Sequence, residues 1–132
     1  MVLGVDVNLL SVLVAAVAAM VVGFLWYGPL FGKAWMRLSG VRPQKKSMMS
    51  GMLLGFLGAL VLAFVLAAVI GLAGADTMGA GVAVAFWLWL GFSATHALGT
   101  VAWEGKSWSL FWLNALGGLV SLVIQGAILA AW

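Results

Sequence analysis

The amino-acid sequence predicts an all-α membrane protein: four transmembrane helices arranged as two antiparallel hairpins, with a short interfacial helix after the first. Of its 132 residues, 66% are hydrophobic and only 7% are charged. Too few polar side chains remain to cover a water-soluble globule. The chain also contains four long apolar runs that carry no formal charge. We therefore expect residues 1–132 to form a single four-helix transmembrane domain.

The four apolar runs, called the first to fourth spans, cover residues 9–27, 48–75, 78–102 and 110–132. A helix needs about 20 largely apolar residues to cross a hydrocarbon core of about 30 Å, so each run is long enough. Strands of a membrane barrel would alternate apolar and polar residues, and these runs do not. Asp6 and Asp76 precede the first and third spans and are expected to cap those helices.

A second, shorter helix is predicted directly after the first span. Gly28 and Pro29 should break the first helix, because proline lacks an amide donor and clashes with the preceding turn. Proline also suits the first turn of a new helix. From residue 30 to about 38, apolar side chains fall on one helical face, and Lys33 and Arg37 lie one turn apart on the other. This pattern predicts an interfacial helix in the membrane plane.

The basic residues predict the orientation of the chain. All six lie in the connections after the first and third spans: Lys33, Arg37, Arg42, Lys45, Lys46 and Lys106. The positive-inside rule places these connections in the cytoplasm and both termini outside it. Orientation thus explains the net charge of +3, and no nucleic-acid partner is expected. The expected anchors at the cytoplasmic interface are Trp26, Tyr27, Lys33, Trp35, Arg37, Trp103 and Trp108.

The composition excludes several kinds of chemistry. The chain has no cysteine, which rules out disulfides, thiolate ligands and cysteine nucleophiles. Its single histidine cannot form a zinc site unless protomers share ligands. Small multidrug exporters of four helices need a carboxylate within the membrane, whereas Asp6, Asp76 and Glu104 lie at helix ends. No catalytic residue, metal or cofactor is predicted, and we expect the protein not to be an enzyme.

Small residues recur along one side of the second span, at Ser47, Gly51, Gly55 and Gly58. In lipid, small side chains four residues apart let two helix backbones approach closely. Two interpretations are open: the glycines pack inside the bundle of this chain, or they form a contact between protomers.

Polar residues within the spans are candidates for function, because such groups are costly in lipid. With small and aromatic residues among them, they recur at steps of three and four on the third and fourth spans: Trp89, Ser93, His96, Thr100 and Trp103, then Asn114, Gly118, Ser121 and Gln125. We expect these two stripes to face each other, with a hydrogen bond between His96 and Asn114. His96 would either tie the helices together or handle a proton or ligand. Trp87 and Trp89 would either pack against a neighbouring helix or form a ligand platform.

One family resemblance covers essentially the whole chain. Residues 23–36 read Gly-Phe-Leu-Trp-Tyr-Gly-Pro-Leu-Phe-Gly-Lys-Ala-Trp-Met, and the closing part contains Glu104-Gly105-Lys106, Leu110-Phe111, Asn114, Gly126-Ala127-Ile128-Leu129 and Trp132. This pattern resembles an uncharacterised family of small bacterial membrane proteins, domain of unknown function 1761. The resemblance implies a four-helix integral protein of a bacterial inner membrane, and it implies no activity or substrate.

The sequence favours a role within the bilayer. The leading hypothesis is a small inner-membrane component that acts as a homo-oligomer or as an accessory subunit of another membrane protein. The alternative is an oligomeric transporter or channel for a small solute or proton, with a path around His96 lined by the two polar stripes. That alternative requires association, since four helices are too few for a roomy pore.

Overall fold

The computed structural model describes residues 4–40 and 45–132, with side chains from 49 onward in the second range. Six α-helices are present in this part of the chain: α1 (Leu9–Leu25), α2 (Gly32–Ser39), α3 (Lys45–Ala73), α4 (Met78–Leu88), α5 (Thr95–Ala102) and α6 (Trp108–Ala131). Two π-helical segments, Trp26–Leu30 and Trp89–Ala94, follow α1 and join α4 to α5. Arg42 and the side chains of Lys45, Lys46 and Ser47 lie outside the described residues.

Four stretches are long and apolar enough to cross a membrane: Leu9–Leu30, Met49–Ala73, Met78–Ala102 and Trp108–Ala131. The prediction of helices throughout, four of them long and apolar enough to span a membrane, is confirmed for the described residues, with ends shifted by a few residues. The largest shift is at the end of the first span, because the π-helical segment continues it to Leu30.

The first span breaks where the sequence predicts it. Gly28 has non-helical dihedral angles, φ −113° and ψ −105°, and the Phe31 amide donates to the Trp26 carbonyl five residues back, at 2.9 Å. The short helix α2 then ends at Gly40, whose φ of 76° is left-handed and favours glycine. A separate helix of eight residues therefore follows the first span.

The helix caps are not the predicted carboxylates. Asn8 accepts hydrogen bonds from backbone amides in the first turn of α1, and Thr77 accepts one in the first turn of α4. The prediction that Asp6 and Asp76 cap these helices was wrong. A cap must directly precede the first helical residue to reach the free amides, and Asn8 and Thr77 hold that position.

Helix α6 is the centre of the bundle. It packs most extensively against α4, and also against α1 and α3. Helix α3 packs mainly against α1 and makes only slight contact with α4. The expected pairing of the third and fourth spans is therefore extensive, whereas the second and third spans pack little despite their short connection.

Small residues bring α4 and α6 into close contact. A methyl group added at Gly81 would collide with the Gly126 carbonyl, and one added at Gly126 would lie 2.5 Å from the Gly81 carbonyl oxygen. Ala85 and Ala130 are buried one turn beyond each glycine. Close backbone approach is the usual way in which helices associate in lipid.

The glycines of α3 are in a different environment. Gly51, Gly55 and Gly58 are all exposed. An added methyl would meet nothing within 4 Å at Gly51 or Gly58, and only the Met20 sulfur, at 3.9 Å, at Gly55. The interpretation that these glycines pack inside the bundle is therefore wrong.

Candidate functional site

Two indole rings bind the backbone of one turn of α6. The Trp26 Nε1–H donates to the Leu113 carbonyl at 3.0 Å, and the Trp89 Nε1–H donates to the Ala115 carbonyl at 2.7 Å. An indole donor within lipid needs a protein partner, and a carbonyl oxygen in a helix has a second lone pair to offer. These bonds fasten the first and third spans to the same stretch of the fourth.

A phenol completes this arrangement. The Tyr27 hydroxyl donates to Asn114 Oδ1 at 2.8 Å, so three consecutive residues of α6 receive hydrogen bonds from aromatic side chains. We call Trp26, Tyr27 and Trp89 the aromatic clamp. The Trp35 ring of α2 stands edge-on to Tyr27 at a centroid distance of 5.8 Å, which connects α2 to the clamp.

The clamp coincides with both irregular segments of the described helices. Trp26 and Trp89 are the first residues of the two π-helical segments. Wide turns of this kind occur often at functional sites, and they change the direction in which the following residues point. Gly117 leaves room for the clamp, since a methyl group there would lie 2.7 Å from Trp26 Nε1.

The two tryptophans in the middle of the third span differ in their surroundings. Trp89 is buried and bonded to α6, so the packing interpretation is confirmed for Trp89. Trp87, two residues earlier, is 67% exposed, so the packing interpretation is wrong for Trp87. Sequence reasoning recognised that an indole in a span needs a partner, but it missed Trp26, which it assigned to the interface alone.

The polar residues of α6 face the first span. Asn114 accepts from Tyr27, and the buried Gln125 donates from Nε2 to the Ala15 carbonyl of α1 at 3.4 Å. Ser121, between them on the stripe, is half-buried. The α6 stripe therefore ties the fourth span to the first, and not to the third as predicted.

His96 points away from α6. It is exposed, as is Ser93, and the oxygen of Asn114 is bonded to Tyr27. The predicted hydrogen bond between His96 and Asn114 was wrong. An α-helix turns about 100° per residue, so the wide turn Trp89–Ala94 rotates His96 off the face that carries Trp89.

The residues of the predicted path on the third span lie in different environments. Thr100 is half-buried, and its hydroxyl donates to the Ala97 carbonyl of its own helix at 2.8 Å. Trp89 is buried against α6, whereas Ser93 and His96 are exposed. A path between associated chains stays a prediction.

The remaining predicted anchors lie at the surface. Lys33 and Arg37 of α2 are exposed, and Trp35 is half-buried. Trp103 is 90% exposed and Trp108 is 57% exposed. These last two flank the connection that contains Lys106, as expected for aromatic side chains at a membrane interface.

Two surface depressions open at the end of the bundle where α4 begins and α6 ends. One, of about 400 Å³, is apolar and is lined by Val14, Met78, Ile124, Ala127, Ile128, Ala131 and Trp132. The other, of about 210 Å³, includes Asp6, Asn8 and Ser11. Neither is lined by His96 or the aromatic clamp. Among the described residues, no three histidine or carboxylate side chains come together as metal ligands.

Comparison with known proteins gives one match. Residues 10–130 match a family model described as protein of unknown function (DUF1761). None of the curated proteins and none of the solved structures matches significantly. The match includes nearly all of the four spans, so the family resemblance seen in the sequence is confirmed.

Proposed function

The chain belongs to the DUF1761 family of proteins of unknown function, and we propose that it is a small multi-pass component of a bacterial inner membrane that works as a homo-oligomer or as an accessory subunit of another membrane protein. Its four apolar spans support residence in a bilayer. The aromatic clamp supports a structural role for the polar groups in the spans, because its hydrogen bonds hold the first and third spans against α6.

The proposal includes an orientation. Lys33, Arg37 and Lys106 are exposed in the connections after the first and third spans, and positive charge favours the cytoplasmic side. Both termini would then lie outside the cytoplasm, with the spans joined as antiparallel hairpins. On α2, Lys33 and Arg37 are exposed while Trp35 and Leu38 are half-buried, which supports an amphipathic helix lying in the interface.

The observation that supports self-association most directly is the open glycine face of α3, formed by Gly51, Gly55 and Gly58. These residues lie four and three positions apart on one face of a spanning helix and are exposed. Small residues let a second helix approach closely enough for extensive van der Waals contact, which drives association in lipid. The face is therefore suited to a contact between copies of the chain.

Subunit counting by single-molecule photobleaching in lipid discs tests this proposal. We expect the native chain to form oligomers, and we expect the double substitution Gly51→Leu with Gly55→Leu to raise the dissociation constant about tenfold, which corresponds to about 1.4 kcal/mol. Gly79→Leu is the matched control, since Gly79 of α4 is an exposed glycine with no atom within 4 Å of an added methyl. A strictly monomeric chain at every protein-to-lipid ratio would contradict self-association.

A second candidate is an oligomeric transporter or channel with a polar path around His96. It is favoured by the outward direction of Ser93 and His96, which would place the path between chains. Proton or solute flux into liposomes containing the protein tests it. His96→Ala should abolish the flux per assembled oligomer if His96 lines the path, and subunit counting distinguishes this result from a loss of assembly.

A further inference from the structure

His96 and Ser93 differ from most of the polar side chains in the spans. Within the part of the chain that the structure describes, neither side chain has a hydrogen-bond partner, and both are exposed. Four other side chains of the two polar stripes do have a hydrogen bond: Trp89, Thr100, Asn114 and Gln125. A histidine and a serine are thus left facing the surroundings of the bundle.

The depth of His96 places it within the hydrocarbon. The third span, Met78–Ala102, has 25 residues and is about 37 Å long at about 1.5 Å per residue. This exceeds a hydrocarbon core of about 30 Å by only a few ångströms at each end. His96 lies six residues, about 9 Å, before the end of the span. Its side chain leans towards the helix N-terminus, which is away from the nearer water.

Lipid cannot satisfy these two groups. An imidazole or hydroxyl without a hydrogen bond in hydrocarbon is unfavourable, and ionisable residues in spans almost always face protein or a water-filled cavity. The wide turn at Trp89–Ala94 directs His96 outward, so a partner for the imidazole has to come from outside the chain. The residues around His96 have the spacing of a helix–helix contact. Steps of four, three and four separate Phe92, His96, Gly99 and Trp103.

We propose that this surface, the His96 face (Phe92, Ser93, His96, Gly99 and Trp103), binds the same face of a second copy of the chain. The chemistry is self-complementary: a neutral imidazole has one donor and one acceptor, and a serine hydroxyl has one donor and two acceptors. A two-fold axis along the membrane normal sets Ser93 of each copy against His96 of the other, so the hydrogen bond between serine and histidine forms twice.

This inference rests on the proposed self-association and names a surface for it. The His96 face lies on the third span, whereas the open glycine face lies on α3, which makes only slight contact with the third span. The two surfaces are separate and can each join two copies. Used together, they build assemblies larger than a dimer.

Cysteine cross-linking in membranes tests the contact, because the natural chain has no cysteine. Phe92→Cys and Trp103→Cys should each give disulfide-linked dimers on mild oxidation, since a two-fold axis brings equivalent residues together. Leu98→Cys is the matched control: it is exposed on the same helix but about 200° around the axis from His96. It should give no dimer.

Substitution of His96 tests the polar part of the contact in the Phe92→Cys background. His96→Leu should reduce dimer formation about tenfold, on the scale of interhelical hydrogen bonds in lipid. His96→Gln keeps a donor and an acceptor and should retain most of the cross-linking. Both side chains are accommodated at an exposed position, and unchanged thermal unfolding of the cross-link-free variants verifies that they fold.

The outcomes separate this inference from the proposed function. If the native chain is monomeric in the photobleaching experiment, both fail. If it is oligomeric but Phe92→Cys and Trp103→Cys give no dimers, or His96→Leu leaves them unchanged, the His96 face is not the contact and self-association stands. Cross-linking of Phe92→Cys to a different protein in place of a second copy also overturns the inference.

Discussion

Small residues lie four positions apart on α3 (Gly51 and Gly55) and also at the α4–α6 contact, where Ala85 follows Gly81 and Ala130 follows Gly126, but the surroundings differ. A methyl added at Gly81 would collide with the backbone of α6, whereas one at Gly51 would meet nothing within 4 Å. The spacing marks a helix face that another backbone can approach closely. It does not say whether that backbone belongs to the same chain, and mutations can distinguish the two cases.

The largest effect is expected at the close contact. Gly81→Ala places a methyl against the Gly126 carbonyl, and a helix backbone cannot move aside as a side chain can. We expect a loss of about 2–3 kcal/mol in the free energy of unfolding, at the upper end of overpacking effects, measured by circular dichroism during unfolding in detergent. Gly79→Ala, two residues away on the same helix with open space around it, should not lower this free energy and should raise it by up to about 1 kcal/mol through helix propensity. Equal effects of the two substitutions would contradict the close contact.

A smaller loss is expected where the neighbour is a side chain. Gly117→Ala places a methyl 2.7 Å from Trp26 Nε1 and should displace the indole from the Leu113 carbonyl. We expect a loss of about 1–2 kcal/mol, mainly that of a hydrogen bond to the clamp. Gly118→Ala adds a methyl group with no atom within 4 Å. It should raise the free energy of unfolding by up to about 1 kcal/mol through helix propensity.

A double-mutant cycle gives the mechanism of the Gly117 effect. In a Trp26→Phe background, which lacks the indole donor, Gly117→Ala should cost clearly less than in the native chain. If the two losses simply add, Gly117 does not act through Trp26.

Much of the fold follows from the sequence because it depends on length and composition alone. Four uncharged runs predict four spans, and Gly28 with Pro29 predicts the break after α1, since proline's missing amide and fixed ring act locally. The π-helical segment Trp89–Ala94 has no such sign, because it contains no proline. It begins at Trp89, which is buried and bonded to α6, and such a tertiary contact is not visible in the local sequence.

The unpredicted wide turn explains why the site was harder to predict than the fold. Counting residues predicts depth, and it places His96 and Asn114 at similar depth. The direction of each side chain depends on an unbroken helical period. A wide turn between Trp89 and His96 changes that direction, so the polar face of the third span does not meet that of α6. Tyr27, delivered by the other π-helical segment, bonds to Asn114 instead.

The smallest change in the free energy of unfolding is expected on α3. There we expect a gain, in contrast to the loss expected at Gly81. Gly51→Ala adds a methyl in open space within a long helix, so it should stabilise the monomer by up to about 1 kcal/mol through helix propensity. The same methyl should hinder close approach of a second α3 and lower the oligomeric fraction counted in lipid discs. For this variant, the free energy of unfolding in detergent should therefore rise while the oligomeric fraction in lipid falls. If the free energy of unfolding and the oligomeric fraction both fall, Gly51 supports the fold of its own chain. The proposed difference between the open glycine face of α3 and the α4–α6 contact would then be wrong.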